Sequence, residues 1–192
     1  MGIRRKSRES AMQALFCIDM NPPVSDSWLS DFCKCYSPAQ KSLPFLFELV
    51  NGVKPLRSEI DAIIERFSNN WKVSRMSCVD RNILRVAVYE LFRCPDIPST
   101  VSINEAIDIG KKFGTDESGA FINGILDSIN TAINDSKIEL KAELAEEPEK
   151  VDKQAESPEI HQQPLTDTRR KIRNHAQIKI KEGIVRRRPL KG

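Results

Sequence analysis

The residues best suited to chemistry in this chain are cations, and they stand at its start. Arg4, Arg5, Lys6 and Arg8 crowd around a single carboxylate, Glu9. Guanidinium and ammonium groups at this density suit phosphate ligands above all others. On a helix Arg4 and Arg8 lie one turn apart on one face, with Arg5 and Lys6 beside them. Positive charge at a helix N-terminus opposes the macrodipole, so stability alone would not favour the cluster. Further along, Phe121 stands near the expected start of a helix, beside Gly119 and Glu117, where a ring can stack on an unpaired base. Lys111 and Lys112 either join that surface or cap their own helix ahead of Gly114. Spacing alone leaves a plain alternative to each: a solvated basic helix start for Arg4 to Arg8, and core packing for Phe121.

Other chemistries lack their residues. Nucleophilic catalysis by a Ser-His or Cys-His pair needs a histidine in a packed site, and the histidines are His161 and His175, near the C-terminal end. There is no Walker-type phosphate loop and no Gly-x-Gly-x-x-Gly after a strand. No inward-facing carboxylate pair can be picked, and the acidic side chains are expected at the solvated surface. Five cysteines, at 17, 33, 35, 78 and 94, follow no secretory signal. They read as free thiols in a reducing cytoplasm. Cys33-x-Cys35 falls short of the about four ligands of a zinc site. No run approaches the ~18 apolar residues of a membrane span. The expectation is a cytoplasmic protein that is not an enzyme and uses no cofactor, metal or membrane.

The elements that must position these residues read as helices throughout. Ala11, Ala14, Leu15 and Ile18 give a first helix over about 4–19, stopped by Asn21-Pro22-Pro23. Because apolar spacing begins at Ala11, its first turns are expected to project beyond the core. Trp28, Leu29 and Phe32 suggest a short helix. A helix over 40–52 has Pro44 in its first turn and ends near Gly52. Another over 55–68 places Leu56, Ile60, Ile63, Ile64 and Phe67 on one face and ends at Asn69-Asn70, with Trp71 expected to pack in the connection. The segment from Ser77 to Cys94 is apolar nearly all round, as a central buried helix is. Ser102 and Glu105 fit a capping box for the next helix, and Gly114 its end. The last helix starts near Thr115 or Asp116 and presents Phe121, Ile122, Ile125, Leu126, Ile129 and Ile133. Gly119 and Gly124 inside it suggest close approach by another helix or a ligand.

Charge divides the chain differently. Residues 1–138 hold 17 basic and 17 acidic side chains, 139–160 carry a net −5, and 161–192 a net +8. The body is therefore balanced, and any basic surface on it must be local. Residues 1–135 are assigned to one helical domain. Residues 136–192 form a low-complexity, acidic-then-basic tail that is expected to be disordered.

The segments "RRKSRESAMQALF", "FLFELVNGV", "DRNILRVAVYELFRCPDIPSTVSINEAIDIGKKFG" and "FINGILD" resemble, in order and spacing, the NusB-type transcription antitermination factors, over about residues 3–134. The resemblance implies an all-α fold of two three-helix bundles packed across each other. It implies a factor that binds the boxA element of nascent ribosomal RNA together with ribosomal protein S10 (NusE). With other Nus factors that complex would modify RNA polymerase, and a homodimer is a further assembly it allows. By matched motif, the RNA-contacting residues would be Arg4, Arg5, Lys6, Arg8, Phe16, Asp80, Glu117 and Phe121, and Lys111 and Lys112 join the candidate set by their place before Gly114. Phe16 stands where the family usually has tyrosine, Ala120 where a lysine or arginine is common, and Ser7 where alanine is common. The alternative is a protein–protein adaptor for a ribosomal protein in ribosome assembly, using helix faces around Asp80 and Glu105.

Overall fold

The structure, a computed structural model, describes residues 2–21, 27–69 and 71–140. Those residues form six α-helices: α1 (Ile3–Met20), α2 (Trp28–Tyr36), α3 (Leu43–Phe67), α4 (Cys78–Arg93), α5 (Ser99–Phe113) and α6 (Ser118–Asn134), with single 3-10 turns before α3 and α4. No strand occurs among them. The fold is all-α, and its helices group as α1–α3 and α4–α6. The nearly all-apolar α4 lies at the centre and packs on α1, α3, α5 and α6. Its Leu84 and Val88, with Leu46, Leu49, Ile60 and Ile64 of α3 and Ile122, Leu126 and Ile129 of α6, are fully buried.

Local chemistry explains most boundaries. Ser77 caps α4, its Oγ accepting the Asp80 N–H at 3.0 Å. In α2 the rings of Trp28, Phe32 and Tyr36 recur every four residues and stack, at 5.7 and 4.4 Å between centroids. Pro44 sits in the first turn of α3, where its missing N–H costs nothing.

Several expectations are corrected. Gly52 does not end a helix: α3 runs 25 residues straight through Gly52 and Pro55. Pro55 removes one backbone bond, but Leu49, Val50, Val53 and Ile60 on either side are held in the core. Gly52 is required for another reason. A Cβ there would lie 2.1 Å from the Tyr89 ring, so the glycine admits that ring against α3. Ser102 is not a cap, because α5 starts at Ser99 behind Pro98, and the Ser102 hydroxyl turns inward to Glu90. Trp71 does not pack in its connection and is 55% exposed. The folded chain continues past Asp135 in a non-helical segment whose Ile138 and Leu140 are buried, with the Leu140 carbonyl accepting from Arg93 Nη2 at 3.0 Å. The tail beyond 140 lies outside the described residues.

The acidic side chains are not all on the surface. Asp19, near the end of α1, is 1% exposed at its side chain and gathers three arginines. Arg81 Nε, Arg85 Nη1 and Asn82 Nδ2 donate to its Oδ2 at 2.7, 2.9 and 3.0 Å. Arg57 Nη2 lies 2.7 Å from Oδ1, an ion pair without hydrogen-bond alignment. Arg85 also holds Asp61 through both Nε and Nη2, at 2.7 and 2.8 Å. Burial by itself would raise the Asp19 carboxyl, but Arg85, Arg81, Asn82 and Arg57 outweigh it and hold it below the usual aspartate range. Asp19→Asn should therefore cost about 3–5 kcal/mol in urea unfolding at neutral pH, since Arg85 stays buried without its full charge partner. A depressed folded-state pKa gives stability that is complete above the unfolded value of about 3.9 and is lost as pH falls through the folded one. The gap between wild type and variant should accordingly narrow below about pH 4.

Candidate nucleic-acid interface

Helix α1 lies antiparallel to α4, with Arg8 opposite Glu90 and Asp19 opposite Arg81 and Arg85. This placement decides which of the N-terminal cations are available. Arg8 is not: its side chain is 4% exposed and that of Glu90 is 1% exposed. Arg8 Nε and Nη2 donate to the two Glu90 oxygens at 2.7 and 2.8 Å, and the Ser102 hydroxyl donates to Glu90 at 2.8 Å. The expectation that Arg8 meets phosphate is thus corrected. Helical spacing accounts for it: Arg8 stands three and four residues before the buried Ala11 and Met12, on their face. Ser7 is fully buried as well, so these first turns do not project beyond the core. The clue in the sequence was Glu90, a carboxylate set within the apolar run from Val86 to Phe92 of α4, which requires a cation from a neighbour.

Arg4, Arg5 and Lys6 reach the surface. Arg5 donates from Nε and Nη2 to Glu105 at 2.7 and 2.9 Å, and from Nη2 to Asp108 at 2.5 Å. The bonds to Glu105, then to Asp108, bind its proton more firmly still. Arg4 meets Asp96 at 2.7 Å, with both side chains more than half exposed, and its guanidinium lies 5.4 Å from the Phe45 ring centre. Lys6 is exposed and has no ion pair among the described residues.

Helix α5 supplies the adjoining surface. Lys112 Nζ reaches both oxygens of Glu9 at 2.8 Å and lies 4.8 Å from the Phe113 ring centre. Lys111 is exposed, and its stem runs over Gly119 at the start of α6, 3.1 Å from where a Cβ would sit. Phe121, two residues on, is half-buried and packed against the core. Glu117 is exposed at the position just before α6. Phe16 is half-buried, and it does not share the core packing of its neighbours Cys17 and Ile18.

Arg5, Glu9 and Phe16 recur on one side of α1, at spacings of four and seven. The Arg5 and Glu9 pairs join that strip to α5, and Lys111 joins α5 to the start of α6. Arg5, Lys111, Lys112, Phe16 and Phe121 thus belong to one linked set of elements. Asp80 stands apart, at the α4 end nearer Asp19. It is 7% exposed and its Oδ1 has no hydrogen-bond partner among the described residues. Its expected place on an accessible RNA surface is corrected, because its own side chain is buried while Cys78, Val79 and Arg81 beside it are half-exposed. The sequence showed the cations but not their counter-ions Glu9, Asp96, Glu105 and Asp108.

The NusB family model matches residues 5–131. The chain belongs to the NusB family of transcription antitermination proteins. The NusB antitermination protein of Desulfatibacillum aliphaticivorans is 55% identical over 130 residues, covering 68% of this chain and 91% of that one. That of Desulfosudis oleivorans is 48% identical over 143 residues, covering 73% and 93%. A solved T. maritima NusB superposes with a TM-score of 0.61 at 38% identity, over 67% of this chain and 90% of that one. A solved complex of antitermination factors NusB and NusE with dsRNA matches with a TM-score of 0.62 at 25% identity, over 69% and 98%. Within this NusB-family fold, Arg8 should prove structural. Arg8→Ala should lose about 3–5 kcal/mol in urea unfolding, since Glu90 is left charged among Met12, Ile83, Val86 and Ile109. The Arg8→Met, Glu90→Met double variant should recover most of that loss.

Proposed function

We propose that this chain binds boxA RNA of nascent ribosomal RNA transcripts together with ribosomal protein S10 (NusE), in an antitermination complex with other Nus factors and RNA polymerase in the cytoplasm. The observation that carries this reading is the state of its surface cations. Arg4, Arg5 and Lys112 are held by carboxylates that are themselves at least partly exposed, and Lys6 and Lys111 are exposed beside them. The exposed Arg4–Asp96 pair is worth about 0–1 kcal/mol, and the part-buried pairs of Arg5 and Lys112 still leave their cations open to water. Phosphates can therefore replace the carboxylates at small cost, whereas the buried Arg8 pair cannot be exchanged this way. Phe16 and Phe121 offer ring surface for stacking on unpaired bases, and the fold's likeness to a NusB solved with NusE and dsRNA supports the same ligands.

The chain contributes few phosphate contacts, because its body is electrically balanced. S10 must supply the remainder of the RNA site, and base selection arises where the two proteins meet the strand. A homodimer covering this surface would compete with RNA. The adaptor alternative has less support, since Asp80 is buried. Fluorescence anisotropy with a boxA oligonucleotide should show weak binding by this chain alone and at least tenfold tighter binding with S10. Equal affinities would refute the cooperative mechanism. Arg5→Ala should lose the boxA-selective part of RNA binding while its helical circular dichroism stays that of wild type.

The C-terminal segment has a separate role in this proposal. Residues 161–192, net +8, add sequence-independent affinity for RNA. Truncation belongs after Lys141, because Ile138 and Leu140 are core residues. The truncated chain should show a shallower dependence of log K on log salt, and an unchanged slope would exclude the tail from RNA contact.

A further inference from the structure

Trp71 is the most exposed of the large apolar side chains of the described residues, at 55%. Its backbone is nevertheless fixed. The Trp71 N–H donates to the Ser68 carbonyl at 3.0 Å, and the Ser68 hydroxyl lies 2.7 Å from the Trp71 carbonyl, donating to it. The Glu65 carboxylate accepts the Val73 N–H at 2.9 Å, and Val73 and Met76 are buried just beyond. Asn69 takes a left-handed conformation, φ 51°, to make the turn. An indole on such a rigid platform loses little freedom when a flat ligand settles on it.

The charge around it is one-sided. Residues 66–79 contain Arg66, Lys72 and Arg75 and no carboxylate, and the flanking Glu65 and Asp80 are tied to backbone and buried respectively. Lys72 and Arg75 are exposed without an ion pair among the described residues, and Arg66 leans on the Phe67 ring at 5.4 Å. This contrasts with α1, where Arg4, Arg5 and Arg8 each hold a carboxylate. An exposed aromatic among uncompensated cations is the composition of a single-strand nucleic-acid platform: rings stack bases, and cations follow the backbone. A protein partner would be expected to use more apolar surface around the tryptophan, yet the residues adjoining it in the chain, Asn70 and Lys72, are polar or charged.

The location fits a continuous strand. Asp19 binds Arg81 and Asn82 in the first turns of α4, and the Trp71 turn enters α4. The platform therefore lies at the end of the molecule reached by the C-terminus of α1. We propose that Trp71, Lys72 and Arg75 form a second single-stranded RNA contact, taking sequence-independent nucleotides that flank the element bound along α1. This rests on the RNA-binding reading above and extends it by a subsite.

A Trp28→Phe variant leaves Trp71 as the sole tryptophan of the chain. In the full-length protein its fluorescence should be quenched by a uridine tract of about ten nucleotides, a length typical of single-strand sites. Attaching that tract to one end of a boxA oligonucleotide should tighten binding in the presence of S10. Trp71→Ala should remove this gain, a loss of roughly fivefold or more, while leaving minimal boxA affinity unchanged, and Trp71→Phe should retain part of it. Lys72→Gln with Arg75→Gln should lower the salt slope for the extended RNA by about 1.4, two phosphate contacts on a single strand. Intact boxA binding with no quenching and no effect of Trp71→Ala would overturn this subsite alone. Quenching without boxA binding would overturn the boxA reading and leave the subsite standing. Weakened S10 binding by Trp71→Ala in the absence of RNA would assign the platform to protein instead.

Discussion

The structure depends on two buried ion clusters that fasten α1 to α4. One is Arg8 on Glu90, and the other is Asp19 on Arg81 and Arg85. They lie eleven residues apart on α1, about 16 Å along the helix. Their polarity is opposite: α1 contributes a cation at its start and a carboxylate near its end, and α4 contributes the complements in reverse order. Only an antiparallel arrangement in one register satisfies both. Turning α1 around would set Arg8 against Arg81 and Arg85, and Asp19 against Glu90, each a buried like-charge contact. An apolar interface of the same volume would be at least as stable but would tolerate slippage. The clusters thereby act as alignment pins, and the exposed cations of α1 take their positions from that alignment.

With α1 pinned, burial sorts its basic residues into different physical roles. Arg8 sits where exchange of its partner for phosphate would strand a carboxylate in an apolar enclosure. Arg4 and Arg5 sit where water already competes with Asp96, Glu105 and Asp108. The carboxylates also serve the free protein. They neutralise a cationic strip that would otherwise repel itself, and they hold Arg5 extended along α5. A charge-balanced surface does not attract every polyanion strongly, so in the proposed RNA site discrimination would pass to stacking, to base contacts and to the partner.

Helix existence and the central position of α4 were legible because burial imposes a period on apolar residues, and α4 showed that period on nearly every face. The boundaries failed where a residue type has two uses. Gly52 and Pro55 are helix breakers in isolation, yet in α3 the glycine admits the Tyr89 ring and the core on both sides carries the proline. Ser102 matched a cap by spacing, while a proline at 98 had already started the helix and freed the hydroxyl for Glu90. Arg8 was classed with its neighbours by type, although its place in the helical repeat put it inside. Counter-ions were illegible for a simpler reason. Arg5 and Glu105 are one hundred residues apart in the chain, and no local pattern encodes their meeting.

The corner between α5 and α6 shows how packing without charge can also aim a charged side chain. Gly110 leaves room for Ile122, which a Cβ would meet at 2.6 Å, so the helices close tightly. Gly114 would collide with Ser118 in the same way, and the Ser118 hydroxyl uses the space to accept the Thr115 N–H at 2.8 Å. Close approach then lays the Lys111 stem across Gly119, covering apolar surface while its ammonium stays in water. A side chain at 119 would press on that stem and displace it. Gly124, by contrast, has nothing within 4 Å of where its Cβ would be, so the expected close approach belongs to Gly119 and not to Gly124. The distinction follows from the direction each residue faces: position 119 turns toward α5 and position 124 toward solvent.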